Sequence, residues 1–134
     1  IGGSEEFGSA ASHPPQFVKI EDDTIEFETL DCADDDATLR TFHELVTTSS
    51  GSVIVVGGLD QNSVASDSVL LIDSSGNIFN KVALTAPRFA ASVSRVADGP
   101  LADVVLVQGG FSLTSDTNAL QWAADGAELY VPTP

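Results

Sequence analysis

Apolar residues in this chain fall in short runs separated by turn chemistry, with no helical spacing between them. Residues 53–56 are β-branched throughout and end in Gly57-Gly58, which predicts a buried strand. Runs over 69–73 and 77–82 flank Ser74-Ser75-Gly76, which predicts a hairpin. Pro87-Arg88 breaks the pattern, and further strands are expected over 89–96 and 104–107, joined by a turn at Ala97-Asp98-Gly99-Pro100. Residues 24–29 alternate, with Ile25 and Phe27 opposed to Glu26 and Glu28, the period-2 signature of a half-buried strand. Asp22-Asp23 turns this run back on a strand over 17–21. After Arg40, a strand over 41–47 leads to the turn Ser49-Ser50-Gly51. Near the end of the chain, 119–123 and 127–131 flank Asp125-Gly126 and read as one more hairpin. The fold class this predicts is all-β and antiparallel.

The order of these words repeats. Gly2-Gly3, Gly57-Gly58 and Gly109-Gly110 each sit behind an apolar residue or strand, at intervals of 55 and 52 residues. A period of about 50 residues belongs to repeats whose units bury their apolar faces only against neighbours. The period divides the chain into a partial unit and long loop over 1–16, a unit over 17–58, a unit over 69–110, and the hairpin over 119–131. Ser4 to Pro15, rich in small residues and ending His13-Pro14-Pro15, reads as loop.

Composition adds the outer bounds. Hydrophobic residues make up 43% of the 134 positions, enough for a packed core. No apolar run approaches the roughly 18 residues that span a bilayer, so membrane insertion is not expected. Twenty acidic residues against five basic ones give a net charge of −15. That charge repels phosphate backbones and anionic lipid, which sets nucleic acid aside as a partner. It suits a solvated acidic surface of the kind carried by proteins outside the cytoplasm. That acidity is one ground for expecting an extracellular, cell-surface or periplasmic protein. Cys32 is the single cysteine and has no internal disulfide partner.

With these landmarks in order, the chain resembles the kelch-repeat β-propellers. Their unit has a strand ending in Gly-Gly, then a variable loop, then a strand ending in Tyr-Asp. A Trp follows seven residues after that Tyr, and an Arg opens the next unit. Here Gly57-Gly58 is followed by Ile72-Asp73, Phe79 and Pro87-Arg88, with Ile72 at the Tyr position and Phe79 at the Trp position. The earlier unit offers Gly2, Gly3, Ile20, Phe27 and Arg40, the last within Arg40-Thr41-Phe42-His43, similar to the Arg-x-x-His entry of many kelch strands. The later unit offers Gly109, Gly110, Trp122 and Leu129. The resemblance covers essentially the whole chain, although its aromatic positions are mostly aliphatic here. It implies four-stranded antiparallel blades, with the apolar residues of the seven-spaced pairs filling space between neighbours. Arg40 and Arg88 are then expected to bond carbonyls or carboxylates between blades. About two and a half blades are present, so a partner is expected: remaining blades of the same parent protein, or other subunits.

Candidate chemistry is sparse. His13 lies beside two prolines and His43 on a predicted strand, where a packed or hydrogen-bonded residue is expected rather than a base. No nucleophile elbow, zinc-protease helix, phosphate loop or Cys-x-x-Cys occurs, and zinc would need more His and Cys. No catalytic residue and no cofactor is therefore assigned. Asp34, Asp35 and Asp36 form the densest acidic cluster and are the one candidate calcium loop, with Glu21-Asp22-Asp23 next. Neither has the alternating spacing and glycine of a calcium loop. Some kelch propellers are copper oxidases with a tyrosine–cysteine crosslink, and nothing in the sequence ties Tyr130 to Cys32. The leading expectation is a non-enzymatic protein-interaction or structural scaffold that binds through loops 31–39, 60–68 and 111–118. The alternatives are part of a kelch-type copper oxidase, and a surface-layer or filament subunit with calcium-binding loops.

Overall fold

The computed structural model describes residues 16–29, 40–113, 119–123 and 126–132. The described chain is all-β, with antiparallel strands and no helix. Strands β1 (Gln16–Glu21) and β2 (Thr24–Thr29) form a hairpin. Its corner residues Asp22 and Asp23 both have positive φ, 46° and 64°, as a two-residue type I′ turn requires. Aspartate tolerates that conformation better than most residues, so the pair selects the turn and the turn sets the register.

Strands β3 (Glu44–Thr47), β4 (Val53–Val56), β5 (Ser68–Ile72) and β6 (Ile78–Ala83) form a four-stranded meander in sequence order. The β5–β6 corner is held by Asp73, whose Oδ1 accepts the main-chain N–H groups of Ser75 and Asn77 at 2.8 and 2.9 Å. A three-stranded sheet follows, built from β7 (Ser92–Arg95), β8 (Val105–Gln108) and β11 (Ala127–Tyr130), with β8 in the middle. Strands β9 (Phe111–Leu113) and β10 (Leu120–Trp122) make a separate small hairpin.

The two larger sheets are built to one plan. β3 pairs with β4 through Glu44↔Val56 and Thr47↔Val53, and β7 pairs with β8 through Ser92↔Gln108 and Arg95↔Val105. β4 pairs with β5 through Val53↔Ile72 and Val56↔Val69, and β8 pairs with β11 through Val105↔Tyr130 and Gln108↔Ala127. Val53–Val56 and Val105–Gln108 are therefore counterparts, as are Val69–Ile72 and Ala127–Tyr130.

The core lies between these sheets. Ile54, Val56, Val69 and Leu71 from one face of the four-stranded sheet meet Ala91, Val105 and Val107, with Val93 and Tyr130 packed alongside. Both faces of β4 and β5 are buried, which explains their unbroken aliphatic runs. Each fully buried valine or isoleucine here contributes about 1.5–3 kcal/mol. The other face of the four-stranded sheet carries a second cluster, Val55, Leu70 and Ile72, flanked by Val53 and Ile78.

Several expectations are redrawn. The strands expected over 41–47 and 89–96 begin later, at Glu44 and Ser92, because Phe42 (φ 55°) and Ala90 (φ 50°) turn left-handed just before them. The four-stranded sheet spans Glu44–Ala83 and so joins the second half of the 17–58 unit to the first half of the 69–110 unit. Its natural boundary falls at the arginine and not after the double glycine. The hairpin expected over 119–131 does not form: β10 pairs with β9, and β11 pairs with β8. Alternation marks a strand but not its partner. β11 covers the open edge of β8, while β10 brings Trp122 to stack on Phe111. The start of the 111–118 loop is correspondingly strand, and 114–118 lie outside the described residues.

Candidate functional site

Each of the two sheets is entered through an arginine that crosses the double glycine of its own second strand. Arg40 is buried and donates from Nη1 to the carbonyls of Gly57 (3.0 Å) and Ser68 (3.3 Å), and from Nη2 to Ser68 Oγ. Arg88 is fully buried and donates from Nη1 to the carbonyl of Gly109 at 3.1 Å. Its Nη2 pairs with Glu128 on β11, whose other oxygen accepts the Thr85 N–H at 2.7 Å. Burial pulls the Arg40 guanidinium below its ordinary pKa, and the charges of Asp60 and Asp67 oppose that shift. Nε of both arginines has no partner among the described residues.

The main chain repeats the same crossing. Thr41 and Leu59 exchange N–H···O bonds of 3.0 and 2.8 Å, and Phe89 and Phe111 exchange two of 2.9 Å. In both cases the residue after the arginine pairs with the residue after the double glycine. All four glycines take left-handed φ: 60° and 102° at Gly57 and Gly58, 66° and 88° at Gly109 and Gly110. A Cβ on Gly58 would lie 2.9 Å from Thr41 O, and one on Gly110 would lie 2.8 Å from Phe89 O. Side chains do not fit at either second glycine, for the same reason.

The two crossings differ at the first glycine. A Cβ on Gly57 would fall 2.2 Å from Arg88 O, whereas nothing lies within 4 Å of one on Gly109. Gly58 N–H donates to Arg88 O at 2.9 Å, and Ala90 N–H donates to Phe42 O at 2.8 Å. The first double glycine thus seats the entry of the second sheet. At the other end of the strands, Asp103 accepts from Ser49 N–H and from Arg95 Nη1, each at 2.8 Å, tying the β3–β4 turn to the second sheet. The Ser49 hydroxyl, which donates to Asp103 Oδ2, is the first cause holding the Asp103 carboxyl below the usual carboxylate range, followed by the Ser49 N–H and Arg95 bonds.

A row of aromatic rings runs along the glycine end. Centroids lie 6.3 Å apart for Phe42–Phe89, 6.0 Å for Phe89–Phe111 and 4.7 Å for the stacked pair Phe111–Trp122. Trp122 is 76% exposed.

Of the residues singled out from the sequence, the structure brings Arg40 to Gly57 and Arg88 to Gly58 and Gly109. Ile72 is buried in the second cluster, but Phe27, Trp122 and Leu129 are exposed. The sheet register puts Tyr130, not Trp122, opposite Val105 as Ile72 stands opposite Val53. The side chains of Ile20 and Phe79 lie outside those described, as do Gly2, Gly3, His13, Cys32, Asp34, Asp35 and Asp36. No cluster of three metal-ligating side chains occurs among the described residues. His43 is half-buried, with Nδ1 3.1 Å from Arg40 O, and burial is the main force holding its pKa down. Sequence reasoning missed Glu128, whose arginine partner is distant in the chain, and the aromatic row. Phe42 and Phe111 do flank the arginine and double-glycine marks in the sequence, which is the signal for that row. In comparisons with known proteins, no family model matches the chain and no curated protein does.

Proposed function

We propose that this chain is a kelch-like propeller segment that serves as a non-enzymatic protein-interaction or structural scaffold within a larger assembly outside the cytoplasm. The observation that carries the reading is the repeated crossing of an entry arginine over a double glycine, with equal strand registers on either side. Such a unit is complete only when its neighbour's entry sits on its glycines, so stability is shared between units. Binding falls to the loop end of the sheets, where the aromatic row ends in exposed Trp122; rigid exposed aromatics supply contact area at low entropic cost.

The test is the mass and metal content of native material. The reading predicts a particle heavier than 13.9 kDa with no stoichiometric copper. A stable isolated monomer of that mass contradicts the assembly. Stoichiometric copper would replace the scaffold with a kelch-type oxidase, and a melting temperature lowered by a calcium chelator would replace it with a cation-bridged layer subunit.

A further inference from the structure

One face of the β7–β8–β11 sheet packs on the four-stranded sheet through Val93, Val105, Val107 and Tyr130. Its opposite face carries Leu106, Gln108, Ala127 and Leu129, the counterparts of Ile54, Val56, Val69 and Leu71. In the first sheet those four positions are buried under the second sheet. In the second sheet Gln108 and Ala127 are exposed and Leu129 is 70% exposed. An open cleft of about 560 Å³ continues that face at the double glycine, lined by Ala90, Ser92, Gln108, Gly109, Gly110 and Ala127. The counterparts of the two bonds that seat Arg88 and Ala90 on the first unit are unmade among the described residues. Gly110 N–H has no main-chain acceptor there, and Ala90 O receives no main-chain N–H.

We propose that this face and cleft are the docking surface for a further β-sheet unit of the same kind, entered through an arginine. The occupant is specified by what already sits on the first unit. Its arginine carbonyl accepts from Gly110 N–H, and its backbone lies against Gly109 where a side chain would collide. The residue two positions after that arginine is left-handed and donates its N–H to Ala90 O. Its leading sheet face is β-branched or aromatic, like Val105, Val107 and Tyr130, and covers Leu106 and Leu129. The interface is heterologous, front of one unit on back of the last, and so propagates. The inference rests on the repeat reading above and names its next contact.

The test extends the full chain at Pro134 with a second copy of residues 77–132. Tyr130 is the counterpart of Ile72, so by residue count Pro134 corresponds to Gly76 and a copy that starts at Asn77 follows in register. Docking raises the melting temperature of the original transition by more than about 4 °C and slows amide exchange at Gly110. It also makes Gly109→Ala, less costly than Gly57→Ala in the unextended chain, as damaging in the extended chain as Gly57→Ala. An appended copy that stays unfolded, or that folds while Gly110 exchange and the cost of Gly109→Ala stay unchanged, overturns the proposal. So does an unextended chain that dimerises with Gly110 protected, since the occupant is then a second copy. Failure of the repeat reading itself is distinguishable: Gly57→Ala would then cost no more than Gly109→Ala in the unextended chain.

Discussion

Arg88 and Glu128 are paired in the interior, and each would be an uncompensated buried charge without the other. Arg88→Ala is expected to cost about 3–5 kcal/mol, the range for breaking a buried pair from one side. Glu128 stands at the sheet position held by Leu70 in the first unit, so Arg88→Met combined with Glu128→Leu should recover most of that loss in urea denaturation. His43 gives a pH signature. Its pKa is lowered in the fold, chiefly by burial, so the unfolded chain binds more protons below its ordinary value of 6.5. Stability should therefore be full above that pH and fall as pH drops through 6.5 toward the lowered folded value. His43→Gln should flatten this part of the stability–pH profile, measured by denaturant midpoints at constant salt.

Among the elements, strands legible from local pattern are those whose pattern has a local cause. The alternation of 24–29 with Asp22-Asp23 before it marks a hairpin because turn and period agree. Residues 53–56 are legible because burial on both faces leaves only aliphatic side chains. The pattern of β10 and β11 marks each as a strand but not its partner, since pairing depends on which open edge is near and not on the strand's own residues. The late starts of β3 and β7 were hidden for a related reason. Phe42 and Ala90 are left-handed because a neighbouring unit and a double glycine fix their main chain, and neither residue type advertises that conformation. Trp122 reports on β10 directly, being the only tryptophan in the chain. Its emission should be that of a water-exposed indole, readily quenched by acrylamide. Quenching by iodide should be weaker than by caesium, since the net charge of −15 repels the anion. A blue-shifted, protected tryptophan would contradict the pairing of β9 with β10.

At the scale of the molecule, the double-glycine spacing points to a repeat, and the structure gives one mark its meaning: Gly57-Gly58 is the seat for the entry of the second sheet. What the sequence could not show is where one unit ends, because the arginine bonds within its own unit through its side chain and to the preceding unit through its carbonyl. Both jobs fall on Arg88, which is why the period looked equally valid from either end. The candidate calcium cluster and the Gly2-Gly3 mark lie outside the described residues, so the repeat rests on Gly57-Gly58 and Gly109-Gly110 alone. Those two pairs also provide the most direct test, by comparing Gly57→Ala and Gly109→Ala in the unextended chain by urea denaturation. Both pay for a left-handed alanine, about 1–2 kcal/mol, but only Gly57 has a main-chain oxygen where the new carbon would stand. The account predicts that Gly57→Ala costs at least about 1 kcal/mol more than Gly109→Ala. Equal costs, or a larger one at Gly109, would contradict the seating of one unit's arginine on the double glycine of the unit before it.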